Sequence, residues 1–141
     1  MNDDAKERQI PATLIVVGIG LYVLAAFVHT GPSGVGPTLL AVLIVGSIQT
    51  AILICAAFLV AMFLNVSFGD ARAAILKFSG ATLVSGGIAA LIPYGGIVAL
   101  FIFLGLIMWL FELDLAYAIA LTVVYFVVAF AVALVLRAAL Q

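Results

Sequence analysis

The sequence predicts an all-α protein, a polytopic bundle of transmembrane helices that crosses the bilayer five times. Hydrophobic residues make up 68% of the 141 residues and charged residues only 8%. Soluble domains carry about 45–50% apolar and about 25% charged residues. So few polar side chains cannot cover a water-facing surface. Five long apolar runs, separated by short links, are therefore interpreted as helices in lipid.

The first apolar run covers residues 11–28 and follows a short tail, 1–10, that we expect on the cytoplasmic side. Pro11 suits the first turn of a helix, where its missing N–H costs nothing. Acidic residues of the tail outnumber Lys6 and Arg8, so the tail lacks the net positive charge of a secretory signal. We expect this run to be a retained first span.

The second run covers residues 38–64, which is long enough to cross the bilayer with some tilt. It follows 30-TGPSGVGPT-38, whose glycines and prolines predict a loop. The only cysteine, Cys55, lies in the middle of this run. A single cysteine excludes an intramolecular disulfide, and we expect Cys55 to be a small buried hydrophobic side chain.

The third and fourth runs, 73–92 and 95–111, are joined by 91-LIPYGG-96. Pro93 predicts the end of the third helix, and the glycines after it allow the fourth to begin at once. The ring of Tyr94 suits the headgroup level of the membrane. Because the fourth run is short, a re-entrant hairpin made of runs three and four is the alternative to two full spans.

The links at the opposite membrane face carry helix-start signals. Ser67 and Asp70 have the spacing of a capping box, within 65-NVSFGDARAAILKFSG-80. This predicts either a short interfacial turn before the third span or simply the wetter beginning of that span. Asp114 is expected to be the N-cap of the fifth run, residues 115–136.

The cations predict the orientation of the chain. Lys6 and Arg8 precede the first span, and Arg72 and Lys77 precede the third. Positive residues close to the spans favour the cytoplasmic side, so we expect the N-terminus in the cytoplasm. Arg137, near the C-terminus, is the one cation that disagrees.

No pattern in the sequence predicts a reaction centre. His29 lies at one end of its span, whereas Glu112 and Asp114 lie near the opposite membrane face. A metal holds its ligands at about 2 Å, so one protomer cannot combine these residues. We therefore expect no enzyme, cofactor or metal. The net charge of -1 gives no basis for binding nucleic acid.

The polar groups at membrane depth are the candidates for function. An unpaired amide in hydrocarbon costs several kcal/mol, so we expect Gln49 to face another helix or its copy in a second protomer. Tyr117, Leu121 and Tyr125 share one helical face, which we expect to meet neighbouring helices.

Small residues recur along the third run. Ala81, Ser85 and Ala89 are spaced by four residues, and Gly86 lies beside them. Such faces let helix backbones approach closely in lipid. They are expected either to pack within the bundle or to form a subunit interface.

Two stretches, 69-GDARAAILKFSGATLVSGGIAALIP-93 and 110-LFELDL-115, carry a family resemblance. The region from about 66 to 136 resembles the membrane domain of the Yip family of Rab-interacting membrane proteins and their uncharacterised bacterial relatives. The resemblance implies five spans with a cytoplasmic N-terminus, and membrane organisation or partner recruitment rather than catalysis. The bacterial relatives imply a bacterial inner membrane.

Together these observations lead to one main expectation and two alternatives. We expect a non-catalytic integral membrane protein that associates in the bilayer with itself or with another membrane protein, as an organising, scaffolding or accessory subunit. The first alternative is an oligomeric channel or transporter for a small ion or solute, with a path lined by Gln49, Thr50, Ser85 and Tyr125. The second is a protein that binds a soluble partner through residues 2–9.

Overall fold

The computed structural model describes the backbone of residues 3–140 and the side chains of residues 8–140. Within this range the chain forms five α-helices joined by short links, with no β-strand. All but the fourth helix are long and apolar enough to cross a membrane. The predicted all-helical membrane bundle is thus confirmed. The helices are α1 (Asp3–Thr30), α2 (Val35–Leu64), α3 (Ala71–Leu91), α4 (Gly95–Phe111) and α5 (Leu115–Ala139).

Helix α1 begins at Asp3, so the prediction that Pro11 opens the first helix was wrong. Pro11 lies inside α1 and its side chain is fully buried. No glycine or proline separates Asp3 from Ile10, so nothing prevents the helix from extending beyond the apolar run. Residues 3–10 of the expected tail are therefore helical, and residues 1 and 2 lie outside the described part.

Helices α1 and α3 run parallel to each other and form the most extensive helix pair in the bundle. In the first half of both helices, a Cβ atom on Gly80 would lie 3.0 Å from the Cβ of Leu14. Near their ends, the Nε2–H of His29 donates a hydrogen bond of 3.2 Å to the carbonyl oxygen of Ala90. Because the first halves of the two helices contact each other and their last turns do so as well, the two helices run in the same direction.

The bundle therefore has two ends, which we call the near end and the far end. The near end carries the links 65–70 and 112–114, and the far end carries the links 31–34 and 92–94. At the near end the Phe68 and Phe111 rings pack edge to face with their centroids 5.5 Å apart. At the far end a 3-10 turn, Pro32–Gly34, connects α1 to α2.

The hydrophobic core occupies the half of the bundle next to the near end. Every buried residue of α2 lies in its second half, and every buried residue of α5 lies in its first half. Towards the far end both helices are only partly covered by their neighbours. The core contains Leu53, Ala56, Ala57, Val60, Phe78, Ala81, Ile107, Leu110, Ala118 and Leu121.

Cys55 is exposed on α2, so the prediction that it is buried was wrong. Its neighbours Ala56 and Ala57 face the core instead. In lipid the outer face of a helix is as apolar as its inner face. The apolar setting of Cys55 in the sequence therefore could not distinguish the two sides.

The predicted capping box at Ser67 and Asp70 is also wrong. Asp70 is itself the N-cap of α3, and its carbonyl oxygen accepts the Ala74 N–H at 2.8 Å. The hydroxyl of Ser67 instead accepts the N–H of Gly69 at 3.3 Å. The box would need its acidic residue three positions inside the helix, whereas here the helix starts directly after the acidic residue and 65–70 forms no helical turn.

The link between α3 and α4 is a tight turn at the far end. Gly95 accepts the close approach of the preceding helix, because a Cβ there would lie 2.6 Å from the carbonyl oxygen of Ala89. Tyr94 has a left-handed backbone with φ 62° and is 92% exposed. Helix α4 then runs from this turn to the near end, a length of about 25 Å.

Candidate functional site

A cleft of about 190 Å³ lies among helices α2, α3, α4 and α5, on the far-end side of the core. Five polar side chains of the spans line it, whereas no charged residue of the described part does. Small side chains of α3 and α4 leave the space, and aromatic side chains of α4 and α5 form one wall. The lining residues are Gln49, Thr82, Ser85, Gly86, Gly96, Ala99, Leu100, Phe103, Thr122, Tyr125 and Phe126.

The hydroxyl groups of the cleft's serine and threonines all donate back to their own helices. Thr82 Oγ1 donates to the carbonyl of Phe78 at 2.7 Å, and Ser85 Oγ donates to the carbonyl of Ala81 at 2.8 Å. Thr122 does the same on α5, with a bond of 2.8 Å to the residue four positions earlier. Each of these hydroxyl hydrogens is thus occupied, and the oxygen lone pairs are the groups that remain for another molecule.

Gln49 is the amide of the cleft. It is half-buried, and among the side chains of residues 8–140 the structure places no hydrogen-bonding group on its amide. Tyr125 faces it from α5, beside Phe103 at 6.3 Å and Phe126 at 5.4 Å between ring centroids. An amide at this depth needs a partner, which must come from outside these residues.

The floor of the cleft consists of the largest fully buried side chains in the middle of the bundle. Each floor residue lies one helical turn towards the near end from a lining residue on the same helix. The cleft therefore ends at the core and does not continue through it. The floor and lining pairs are Leu53 with Gln49, Phe78 with Thr82, Ile107 with Phe103 and Leu121 with Tyr125.

The structure brings three of the four residues of the expected solute path into this cleft. Gln49, Ser85 and Tyr125 line it, whereas Thr50 lines a second cavity of about 330 Å³ among α1, α2 and α3. One step along a helix turns a side chain by about 100°, so neighbours on α2 face different spaces. Of the expected tyrosine face, Tyr117 is exposed and Leu121 is buried.

Thr82 and Thr122 also line the cleft and were not predicted as site residues. A usable signal was present, because Thr82 lies three residues before Ser85 and Thr122 three residues before Tyr125. Residues three apart share a helical face. Threonine hydroxyls in helices often bond to their own backbone, so this spacing alone does not indicate a site. The sequence also does not show that four helices converge at these residues.

The small residues of α3 lie inside the protomer. Ala81 is 0% exposed and Ser85 is 7% exposed, while Gly86 and Ala89 are half-buried. A Cβ on Gly86 would collide with the hydroxyl of Tyr22 on α1. This face therefore packs within the bundle.

The side chains that could hold a metal ion do not converge in the described part of the chain. His29 lies at the far end against Ala90, and Glu112 lies at the near end, exposed, with a left-handed backbone of φ 52°. Within the part of the chain that the structure describes, no three His, Cys, Asp or Glu side chains come close enough to share a metal ion.

Comparison with protein-family models, with curated proteins and with solved structures finds no match for this chain. The site is therefore interpreted from its own chemistry. An uncharged cleft lined by hydroxyl oxygens, an amide and aromatic rings suits the binding of another molecule or helix.

Proposed function

We propose that this chain is a non-catalytic integral membrane protein that acts through helix–helix association, as an organising, scaffolding or accessory subunit. The observation that carries the proposal is the incomplete covering of α5. The face of α5 that points into the bundle is buried near its start but only half-buried further along, although the same apolar pattern continues.

The pattern along α5 has helical spacing. Ala118, Leu121 and Thr122 are buried. Tyr125, Ala129 and the other residues that continue this face are half-covered, and residues between them are exposed. The continuation of the face, which we call the open stripe, consists of Tyr125, Val128, Ala129 and Val132.

The side chains of the open stripe support a helix as its partner. Helices in lipid associate through close backbone packing and interhelical hydrogen bonds, because lipid tails are as apolar as leucine side chains. The single methyl group of Ala129 allows a close approach, and the valines beside it are stiff and lose little side-chain freedom on packing. Tyr125, which also lines the cleft, offers a hydroxyl at that end of the stripe. The partner helix belongs to a second copy of the chain or to another membrane protein.

The charges support an orientation with the N-terminus in the cytoplasm. Arg72 and Lys77 lie on the first turns of α3 at the near end, and Arg8 lies on the part of α1 that starts there. Positive residues favour the cytoplasmic side, so the near end is cytoplasmic. The resemblance of residues 66–136 to the bacterial relatives of the Yip family supports both the compartment and the organising role.

A channel or transporter is the second candidate. Three of its four expected path residues, Gln49, Ser85 and Tyr125, line one cleft at membrane depth, which favours this candidate. The buried floor of that cleft opposes a continuous pore in one protomer, so transport would require α5 or α2 to move. A membrane-embedded path of this kind would carry neutral solutes, because no charge lines it.

Association is tested by enlarging a side chain on the open stripe. Ala129→Leu should lower self-association, or the recovery of a copurifying membrane protein, by about tenfold. Ala131→Leu on the exposed side of the same helix is the matched control and should leave association unchanged. Subunit counting in liposomes and native mass measurement give the readout. A strictly monomeric wild-type chain without any copurifying protein would disprove the proposal.

Transport is tested separately in proteoliposomes. If the second candidate is right, Gln49→Leu abolishes the flux of a neutral solute while subunit counting stays unchanged. The absence of flux for every ion and solute tested with the wild-type chain would remove this candidate.

A further inference from the structure

We propose that the cleft among α2, α3, α4 and α5 binds the head group of a neutral lipid-like molecule that donates hydrogen bonds, such as a long-chain alcohol. This inference goes beyond helix association, because all of the lining residues belong to one protomer. It rests on the hydrogen-bond character of the cleft, on its lack of charge, and on its size and mouth.

Most of the polar atoms that line the cleft are available as hydrogen-bond acceptors. The hydroxyl groups of Thr82, Ser85 and Thr122 each donate a hydrogen bond to a backbone carbonyl of their own helix. Their oxygens therefore present lone pairs to the cleft. The Gln49 amide adds a carbonyl oxygen together with two N–H groups, and it has no partner among the described side chains. A ligand with a hydroxyl can donate to the acceptors and accept from this amide.

The lack of charge selects a neutral head group. Among the described side chains no Asp, Glu, Lys or Arg lines the cleft, so a phosphate, carboxylate or ammonium would lose its hydration without gaining a counter-ion. Removing such an ion from water is far more costly than removing a hydroxyl that keeps its hydrogen bonds. Anionic phospholipids and free fatty acids are therefore expected to be excluded.

The size and the mouth of the cleft select a lipid-like molecule over a free solute. About 190 Å³ is less than the roughly 300–1,000 Å³ of pockets that enclose whole drug-sized ligands. The two exposed lining residues are Gly96, in the first turn of α4 at the far end, and Phe126 in the middle of α5, so the mouth extends from the far end of α4 to the lipid-facing side of α5. The head group fits in the cleft, and the hydrocarbon tail remains in lipid.

The test uses a photoreactive probe, a sixteen-carbon alcohol with a diazirine on its chain, and the full-length protein in phosphatidylcholine nanodiscs. Photolabelling should be saturable and should map to α4 and α5 around the mouth. Dodecanol should compete, whereas its methyl ether, which cannot donate a hydrogen bond, should compete about tenfold more weakly. Dodecanoate should also be a poor competitor at pH 8, where it is ionised.

Matched variants separate the cleft from general lipid contact. Gln49→Leu should weaken labelling about tenfold, and Thr50→Val, next to it but facing the other cavity, should not. Thr122→Val, which keeps the side-chain shape, serves as a second cleft variant if Gln49→Leu folds poorly. Equal competition by alcohol and ether, unsaturable labelling, or equal effects of the cleft and control variants would each overturn the proposal.

The same experiment distinguishes this inference from the proposed association. Ala129→Leu should reduce association and leave the photolabelling of the cleft unchanged. Failure of association with saturable labelling would therefore disprove the proposed function alone, whereas association without saturable labelling would disprove the ligand site alone.

Discussion

A Cβ atom placed on Gly18 of α1 would lie 2.6 Å from the Cβ of Leu83 on α3. It would also lie 2.7 Å from the Leu83 carbonyl carbon and 2.8 Å from the backbone nitrogen of Val84. Backbone atoms cannot move aside as a flexible side chain can. The two parallel helices are therefore held together by a contact that only glycine permits at position 18.

The first prediction follows from this contact. Gly18→Ala should destabilise the protein by about 1–3 kcal/mol, because overfilling a packed contact pushes the helices apart. Gly20→Ala is the control on the same helix, since nothing lies within 4 Å of a Cβ there, and it should be neutral or stabilise the protein by up to about 1 kcal/mol, because alanine favours a helix. Unfolding in mixed micelles measures both. Equal stability of the two variants would show that α1 and α3 are not this close.

The second prediction concerns the aromatic cluster at the near end. The Phe78 ring lies 4.5 Å from Phe111 and 5.8 Å from Phe68 between centroids, and Phe78 is 1% exposed. Phe78→Ala should cost about 2 kcal/mol in the same unfolding measurement, which is below the roughly 3–5 kcal/mol of buried Phe→Ala changes in soluble proteins. The loss of stability is smaller than in a soluble protein because the phenyl ring stays out of water even when the chain is unfolded in the micelle. The remaining loss comes mainly from lost packing contacts and from the cavity that the missing ring leaves.

Phe63 provides the matched control for this cluster. It lies on α2 near the same end of the bundle and is 80% exposed. Phe63→Ala should therefore leave the unfolding free energy within about 0.5 kcal/mol of the native value. If Phe63→Ala were as harmful as Phe78→Ala, the ring of Phe63 would have to be covered by another chain, and the aromatic cluster would not explain the difference.

The sequence predicted the helical class because hydropathy and glycine–proline punctuation act locally. The turn at 91–96 and the N-cap at Asp114 needed only the chemistry of neighbouring residues. Errors arose where local signals competed. Pro11 predicts a helix start, yet α1 begins as early as Asp3. The spacing of Ser67 and Asp70 predicts a capping box, yet α3 begins only after Asp70.

The candidate site was less predictable for a different reason. In lipid, apolar residues lie on both faces of a helix, so periodicity does not reveal which face is inside. Cys55 was expected inside and is exposed, and Thr50 was grouped with Gln49 although their side chains line different cavities. Which polar groups meet depends on how four helices pack together, and that is a long-range property.

The third prediction separates the two roles considered for Ser85. Its hydroxyl donates to the carbonyl of Ala81 at 2.8 Å and to that of Thr82 at 3.2 Å on its own helix. Ser85→Ala should therefore change stability by less than about 1 kcal/mol. Ser85→Leu should destabilise the protomer itself by about 1–3 kcal/mol in micelle unfolding, because the position is buried inside the bundle. A Ser85→Leu protein that folds normally but loses association would instead place Ser85 at a subunit interface.

The fourth prediction concerns the orientation in the membrane. Ser33 lies in the far-end link and Ser67 in the near-end link, and both are exposed. In a Cys55→Ala background, Ser67→Cys should react with a membrane-impermeant maleimide only after bacterial cells are permeabilised, whereas Ser33→Cys should react in intact cells. The reason is that we expect Arg72 and Lys77 to keep the near end on the cytoplasmic side. Reversed labelling would invert the orientation, and labelling of both positions from one side would mean that α2 does not cross the bilayer.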